Sequence, residues 1–351
     1  LRGAEAGEQA GPCAHEARGV DTVGSEKVML NPAPAAARGP VVVSLLLSYG
    51  TLLALAALVV VFALASPGFL AVGNLINILR QISLLAIAAN GFTLALIVGE
   101  FDLGFANVAS LAGVLVAGLI FGGHSVPLAI AAGLLVGLVF GLFNGLVTTR
   151  LGVNSLITTL ASGSIALGLG FLYTRGVAFY GAMPANFTFL GRGTILGIPA
   201  LVVAMVLIVG GSHAFIAYTR PGRYILAVGG NQQAARLAGI RVNFYRTLGL
   251  CFASLSGAVT GILLTARLSS AHPTSAAEFL MDGIAASLLG MTLQAGRPNV
   301  LGTFVGALII GVLNNGLTLL GTPYYVNDIA KGFIIILSVT MASVQAMRRA
   351  G

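Results

Sequence analysis

Ten acidic residues occur in a chain of 351, and only Glu100, Asp102, Glu278, Asp282 and Asp328 lie beyond residue 40, among long apolar runs. An ionised side chain at membrane depth costs about 3 kcal/mol or more unless it is paired or hydrated, and such residues mark pathways, relays and gates. Glu100 and Asp102 stand in Gly99-Glu-Phe-Asp-Leu-Gly104, where the flanking glycines permit an irregular turn or a broken helix. The pair either caps a solvated turn or forms a gate or the lining of a wet cavity. The same alternatives hold for Glu278 and Asp282, which follow His272-Pro-Thr-Ser275. Carboxylates accept hydrogen bonds from the hydroxyls of a polar solute, and equally from backbone amides. Asn90, deep in an apolar run, is expected either to line a translocation path or to bond across helices.

Enzyme chemistry is not legible. A phosphate-cradling loop needs Gly-Lys-Ser/Thr, but the two lysines, Lys27 and Lys331, precede Val28 and Gly332. His15, His124, His213 and His272 are too scattered for a metal cluster. No catalytic residue, metal or cofactor is therefore expected on this chain, and no ATP hydrolysis. Cys13 and Cys251 read as unpaired small hydrophobes.

The elements that must position these residues follow from composition. Hydrophobic residues make up 57% and charged residues 8%, against about 25% charged in soluble domains. Such a chain can cover a lipid-facing surface but not a water-facing one. The net charge of +8 lies between apolar runs rather than on one face, which argues for topology signals and against nucleic acid. About ten runs approach the roughly 20 residues a membrane helix needs, with cores at 41–65, 75–98, 103–122, 126–148, 154–173, 199–218, 245–266, 279–295, 299–319 and 329–347. The expected fold is an all-α, polytopic membrane helix bundle over residues 41–351, preceded by a disordered tail over 1–40. The chain opens on Leu1 rather than Met, which leaves open whether all of that tail is native.

With the tail in the cytoplasm and ten spans, 13 of the 18 basic residues fall inside, as the positive-inside rule requires, and both termini are cytoplasmic. The largest inner connector then runs over about 218–245. It holds a short helical stretch, Ala234-Ala-Arg-Leu-Ala238, with Asn231 as N-cap and Gly239 as stop. The outer stretch 174–198 reads as irregular. In the fourth run Gly133, Gly137, Gly141 and Gly145 share one helix face, which allows close helix packing within the subunit or against a second one. Gly141-Leu-Phe-Asn-Gly-Leu146 echoes Gly311-Val-Leu-Asn-Asn-Gly-Leu317, and Ala109-Ser-Leu-Ala-Gly113 echoes Ala286-Ser-Leu-Leu-Gly290. An echo offset by five spans implies an inverted five-helix repeat.

Five segments carry a family resemblance: Gly99–Gly104, Gly141–Leu146, Gly229-Gly-Asn-Gln-Gln-Ala-Ala-Arg-Leu-Ala-Gly-Ile240, Ala266-Arg-Leu-Ser-Ser-Ala-His-Pro-Thr274 and Leu313-Asn-Asn-Gly-Leu317. In this order they resemble the permeases of ribose- and xylose-type ABC importers, the inner-membrane translocators. The resemblance implies a permease subunit in the bacterial cytoplasmic membrane that moves a sugar or similar small polar solute. It implies a cytoplasmic ATPase that binds ATP and Mg, a periplasmic or lipid-anchored solute-binding protein, and a second permease subunit, identical or similar. It also implies that the loop with Asn231, Ala234, Ala235, Arg236, Leu237 and Gly239 docks on the ATPase. Where the family commonly reads Gly-Gly-Ile-Asp-Leu-Ser, this chain has Gly99-Glu-Phe-Asp-Leu-Gly104, with one more carboxylate and one hydroxyl fewer. The competing readings are an ion-coupled secondary transporter working through Asp102 and Asp282, and a membrane scaffold.

Overall fold

The computed structural model describes residues 41–294 and 296–350, so the tail expectation over 1–40 lies outside the described residues. Each of the ten apolar runs is occupied by a helix: α1 (Val41–Ala65), α2 (Val72–Ile97), α3 (Phe105–Phe121), α4 (Val126–Arg150), α5 (Ser155–Thr174), α7 (Ala200–Tyr218), α10 (Val242–Leu268), α11 (Glu278–Met291), α12 (Val300–Leu319) and α13 (Tyr324–Ala350). Between them lie three shorter helices, α6 (Ala185–Arg192), α8 (Arg220–Gly230) and α9 (Gln232–Leu237).

Among the described residues six helices, α2, α4, α5, α7, α10 and α12, are long and apolar enough to cross a membrane. Helices α3 and α11 are shorter for local reasons. The turn 98–104 leaves α3 only 17 residues, and α11 is held to 14 residues because residues 272–277 form turns before it.

The core forms around α2 and α10. Every residue of α2 from Ile82 to Ile97 is buried, as expected of a helix that is apolar all round. Helix α10 packs against α2, α3 and α4, while α2 packs against α10, α11, α12 and α7. On α4 the buried face is small and the exposed one large. Gly133, Gly137, Gly141 and Gly145 are buried, whereas Leu135, Leu138, Leu142 and Phe143 are exposed. A Cβ on Gly137 would lie 2.6 Å from the Ala258 Cβ, and one on Gly141 2.6 Å from the Cys251 Cα. Gly145 meets Thr247 in the same way. The glycine face thus lies against α10 of the same chain.

The stretch 174–198, expected to be irregular, is partly ordered. Pro184 and Gly193 bound α6. Strand β1 (Phe179–Tyr180) pairs antiparallel with β4 (Ser270–Ala271), and β2 (Thr194–Ile195) with β3 (Ile198–Pro199). Short elements set off by glycine and proline leave no periodic signature.

Candidate functional site: two polar centres at opposite ends of the bundle

The acidic residues fall into two groups. Arg246 near the start of α10 and Arg267 near its end are separated by about 30 Å on a rise of 1.5 Å per residue, and one group lies beside each.

At the first end the turn between α2 and α3 is buried. Glu100 is 2% exposed and Asp102 is fully buried, so neither sits in a solvated turn. The chain reverses at Gly99, whose φ of +84° suits a residue without a Cβ. Glu100 forms an ion pair with Arg246 of α10. Asp102 accepts from the Gly104 N–H at 2.8 Å, just ahead of α3, and from the Ser254 hydroxyl of α10 at 3.0 Å. Thr159 of α5 closes the turn by accepting from the Leu103 N–H at 3.0 Å. Helices α3, α5 and α10 therefore meet at one short segment.

The connector 219–241 attaches to the same place. Thr219 caps α8 by accepting from the Gly222 N–H at 3.1 Å. At the far end of α8, a Cβ on Gly229 would overlap the Ile97 carbonyl oxygen of α2, so only glycine allows this approach. Asn231 caps α9 by accepting from the Ala234 N–H at 2.9 Å, and Gly239 follows with φ +79°. Ala235 is buried and anchors α9. Asn231, Ala234 and Arg236 are exposed, and Leu237 is 86% exposed. A short capped helix presents a large apolar side chain outward beside a cation.

At the opposite end a cavity of about 510 Å³ opens among α2, α10, α11, α12 and α13. Glu278 and Asp282 both line it. Asp282 forms an ion pair with Lys331 of α13 at 2.7 Å, both side chains being more than nine-tenths buried. The Asn314 amide of α12 donates to the other Asp282 oxygen at 2.9 Å. Arg267, Asp328, Asn327 and Gln81 complete the charged and amide lining. Asn90 belongs to neither group: it is buried on α2 and donates to the Ser212 hydroxyl of α7 at 2.8 Å. Among the described residues no group of three or more His, Cys, Asp and Glu could hold a metal ion.

Sequence reasoning missed Arg246, Gly229, Lys331 and Asn327. Lys331 was legible in kind, since a lone lysine inside an apolar helix needs a partner. Arg246 counted only as a topology charge, and its partner lies 146 positions away.

Residues 74–339 match the family described as "Branched-chain amino acid transport system / permease component". That match covers about three quarters of the chain. The chain belongs to this permease family. Among its relatives are the ribose import permease protein RbsC of Escherichia coli K12, 36% identical over 84% of this chain and 93% of that protein, and RbsC of Bacillus subtilis 168, 38% identical over 83% and 91%. The L-arabinose ABC transporter permease protein AraH of Azospirillum brasilense is 32% identical over 88% and 90%. No solved structure matches the chain. As a permease component it is a multi-pass membrane transport subunit rather than an enzyme.

Proposed function

We propose that this permease is the membrane-spanning subunit of an ATP-driven importer for a sugar or similar small polar solute, in a bacterial cytoplasmic membrane with both termini inside. The observation that carries the reading is α9, a capped six-residue helix whose Leu237 is 86% exposed and whose neighbour Arg236 is also exposed, attached to the buried turn 98–104. A leucine and an arginine exposed side by side on a capped, anchored helix offer a second protein an apolar and a charged contact, and a separate ATPase that binds ATP and Mg is that partner. A solute-binding protein on the outer face delivers the solute, and a second permease subunit completes the pathway. The ribose- and arabinose-import names of the relatives support this class of cargo.

Residues 41–351 act as one permease domain with ten spans. The packing supports an inverted repeat of α1–α5 on α7 and α10–α13. Helix α10 packs on α3 and α4 as α2 packs on α11 and α12. Asn243 at the start of α10 donates to Thr149 of α4 at 3.2 Å, much as Asn74 at the start of α2 exchanges amide bonds with Asn315 of α12 at 2.9 and 3.0 Å. In this arrangement Glu278 and Asp282 line the outer path and Asn90 lies along it. Glu100 and Asp102 form the inner gate, moved by α8 and α9 when the ATPase closes. Alternating access then follows as a population shift between two packings of the bundle.

The test is the variant with Arg236→Asp and Leu237→Asp in the assembled complex. ATP hydrolysis is expected to persist while solute uptake is lost and membrane insertion is unchanged. Normal uptake would remove the docking assignment.

A further inference from the structure

The outer cavity carries an inference about what this subunit itself recognises, and it rests on the importer reading. At about 510 Å³ it lies within the roughly 300–1,000 Å³ typical of small-molecule sites. Its walls come from five helices of this one chain. Three carboxylates, Glu278, Asp282 and Asp328, face two cations, Arg267 and Lys331, so the lining carries one excess negative charge. Asp282 and Lys331 already satisfy each other at 2.7 Å.

Two acceptors are left over. The Asn314 amide donates one N–H to Asp282, and its Oδ1 is buried without a hydrogen-bond partner, as is the Oδ1 of Asn327. Both residues line the cavity. A buried acceptor left unsatisfied costs about 1–3 kcal/mol, so these two oxygens call for a ligand that donates. Phe279 adds an apolar wall.

Each ligand class meets this lining differently. An anion would find Arg267 as the one lining cation outside the ion pair, against Glu278 and Asp328, and drawing Lys331 away from Asp282 as well would part a buried pair, which is strongly unfavourable. An aliphatic amino acid would bring a carboxylate towards the excess negative charge and an apolar side chain towards the two amide oxygens. A hydroxyl donates and accepts through one atom, so an uncharged solute with several hydroxyls satisfies Asn314 and Asn327 and leaves the ion pair intact. We infer that this cavity is a solute-holding site within a single permease subunit, built for an uncharged polyhydroxylated molecule recognised by Asn314 and Asn327 across the Asp282–Lys331 pair.

The test uses the full chain in lipid nanodiscs with Cys13→Ser, Cys251→Ser and Thr318→Cys, the last placing a thiol on the cavity wall. The rate of modification by a small charged thiol reagent is measured with D-ribose, L-leucine or inorganic phosphate. D-ribose is expected to slow labelling about threefold or more at a few times its dissociation constant. Leucine and phosphate are expected to leave the rate unchanged. In the Asn314→Leu, Asn327→Leu background the ribose effect should vanish while helical content is kept. Equal protection by all three compounds, or by none, overturns the inference. ATP-driven uptake by the assembled importer is scored separately: uptake without cavity protection sinks the holding site alone, whereas absence of ATP-driven transport sinks the importer reading beneath it.

Discussion

Glu100 is a carboxylate that the fold buries and provides with a partner, Arg246. Removing one member of a buried pair leaves the other uncompensated, at about 3–5 kcal/mol when both are buried. Arg246 keeps 22% of its side-chain surface exposed, so solvent screens it and a loss of about 2 kcal/mol is expected for Glu100→Gln. Thermal unfolding in detergent measures this as a lowered midpoint. The swap Glu100→Arg with Arg246→Glu should recover part of the loss, and no recovery would show that the pair is incidental. The sequence made the carboxylate at 100 conspicuous but gave no hint of burial, since flanking glycines suit a solvated turn equally well. What buries it is the approach of α8 through Gly229 and of α10 through Arg246, and neither contact is local in the chain.

Element by element, the long helices were readable because twenty-residue apolar runs need no partner to be recognised. The packing face of α4 was readable too, since four glycines at a spacing of four define a stripe. The choice between an internal contact and a subunit contact was not readable, because it depends on α10, a hundred residues later. Gly137→Leu is predicted to destabilise the bundle by about 1–3 kcal/mol through overpacking against Ala258 and Leu255. Gly210→Leu on α7 serves as the control, because nothing lies within 4 Å of a Cβ there and its midpoint should not move. Equal effects at both positions would contradict the packing account. The short helix α6 and the β pairs escaped the sequence for the opposite reason: two turns or two residues carry too little periodicity to separate from a loop.

Across the whole molecule, charge asymmetry set the expected orientation, and the two polar centres give that orientation a mechanical meaning. One end, the inner one on that orientation, gathers the connector, the buried turn and the starts of α3, α5 and α10. The opposite end gathers the cavity, and α10 joins the two. A thiol placed by Leu237→Cys in a Cys13→Ser, Cys251→Ser chain should react with an impermeant reagent from the cytoplasmic face only, and addition of the ATPase should protect it. Labelling from the outside would reverse the topology and detach the motor from α9. The most direct test of the central claim is solute accumulation in proteoliposomes holding this permease and its binding protein, with and without the separate ATPase. Accumulation should require both the ATPase and ATP and should ignore a proton or sodium gradient. Accumulation by the permease alone, driven by such a gradient, would contradict the account.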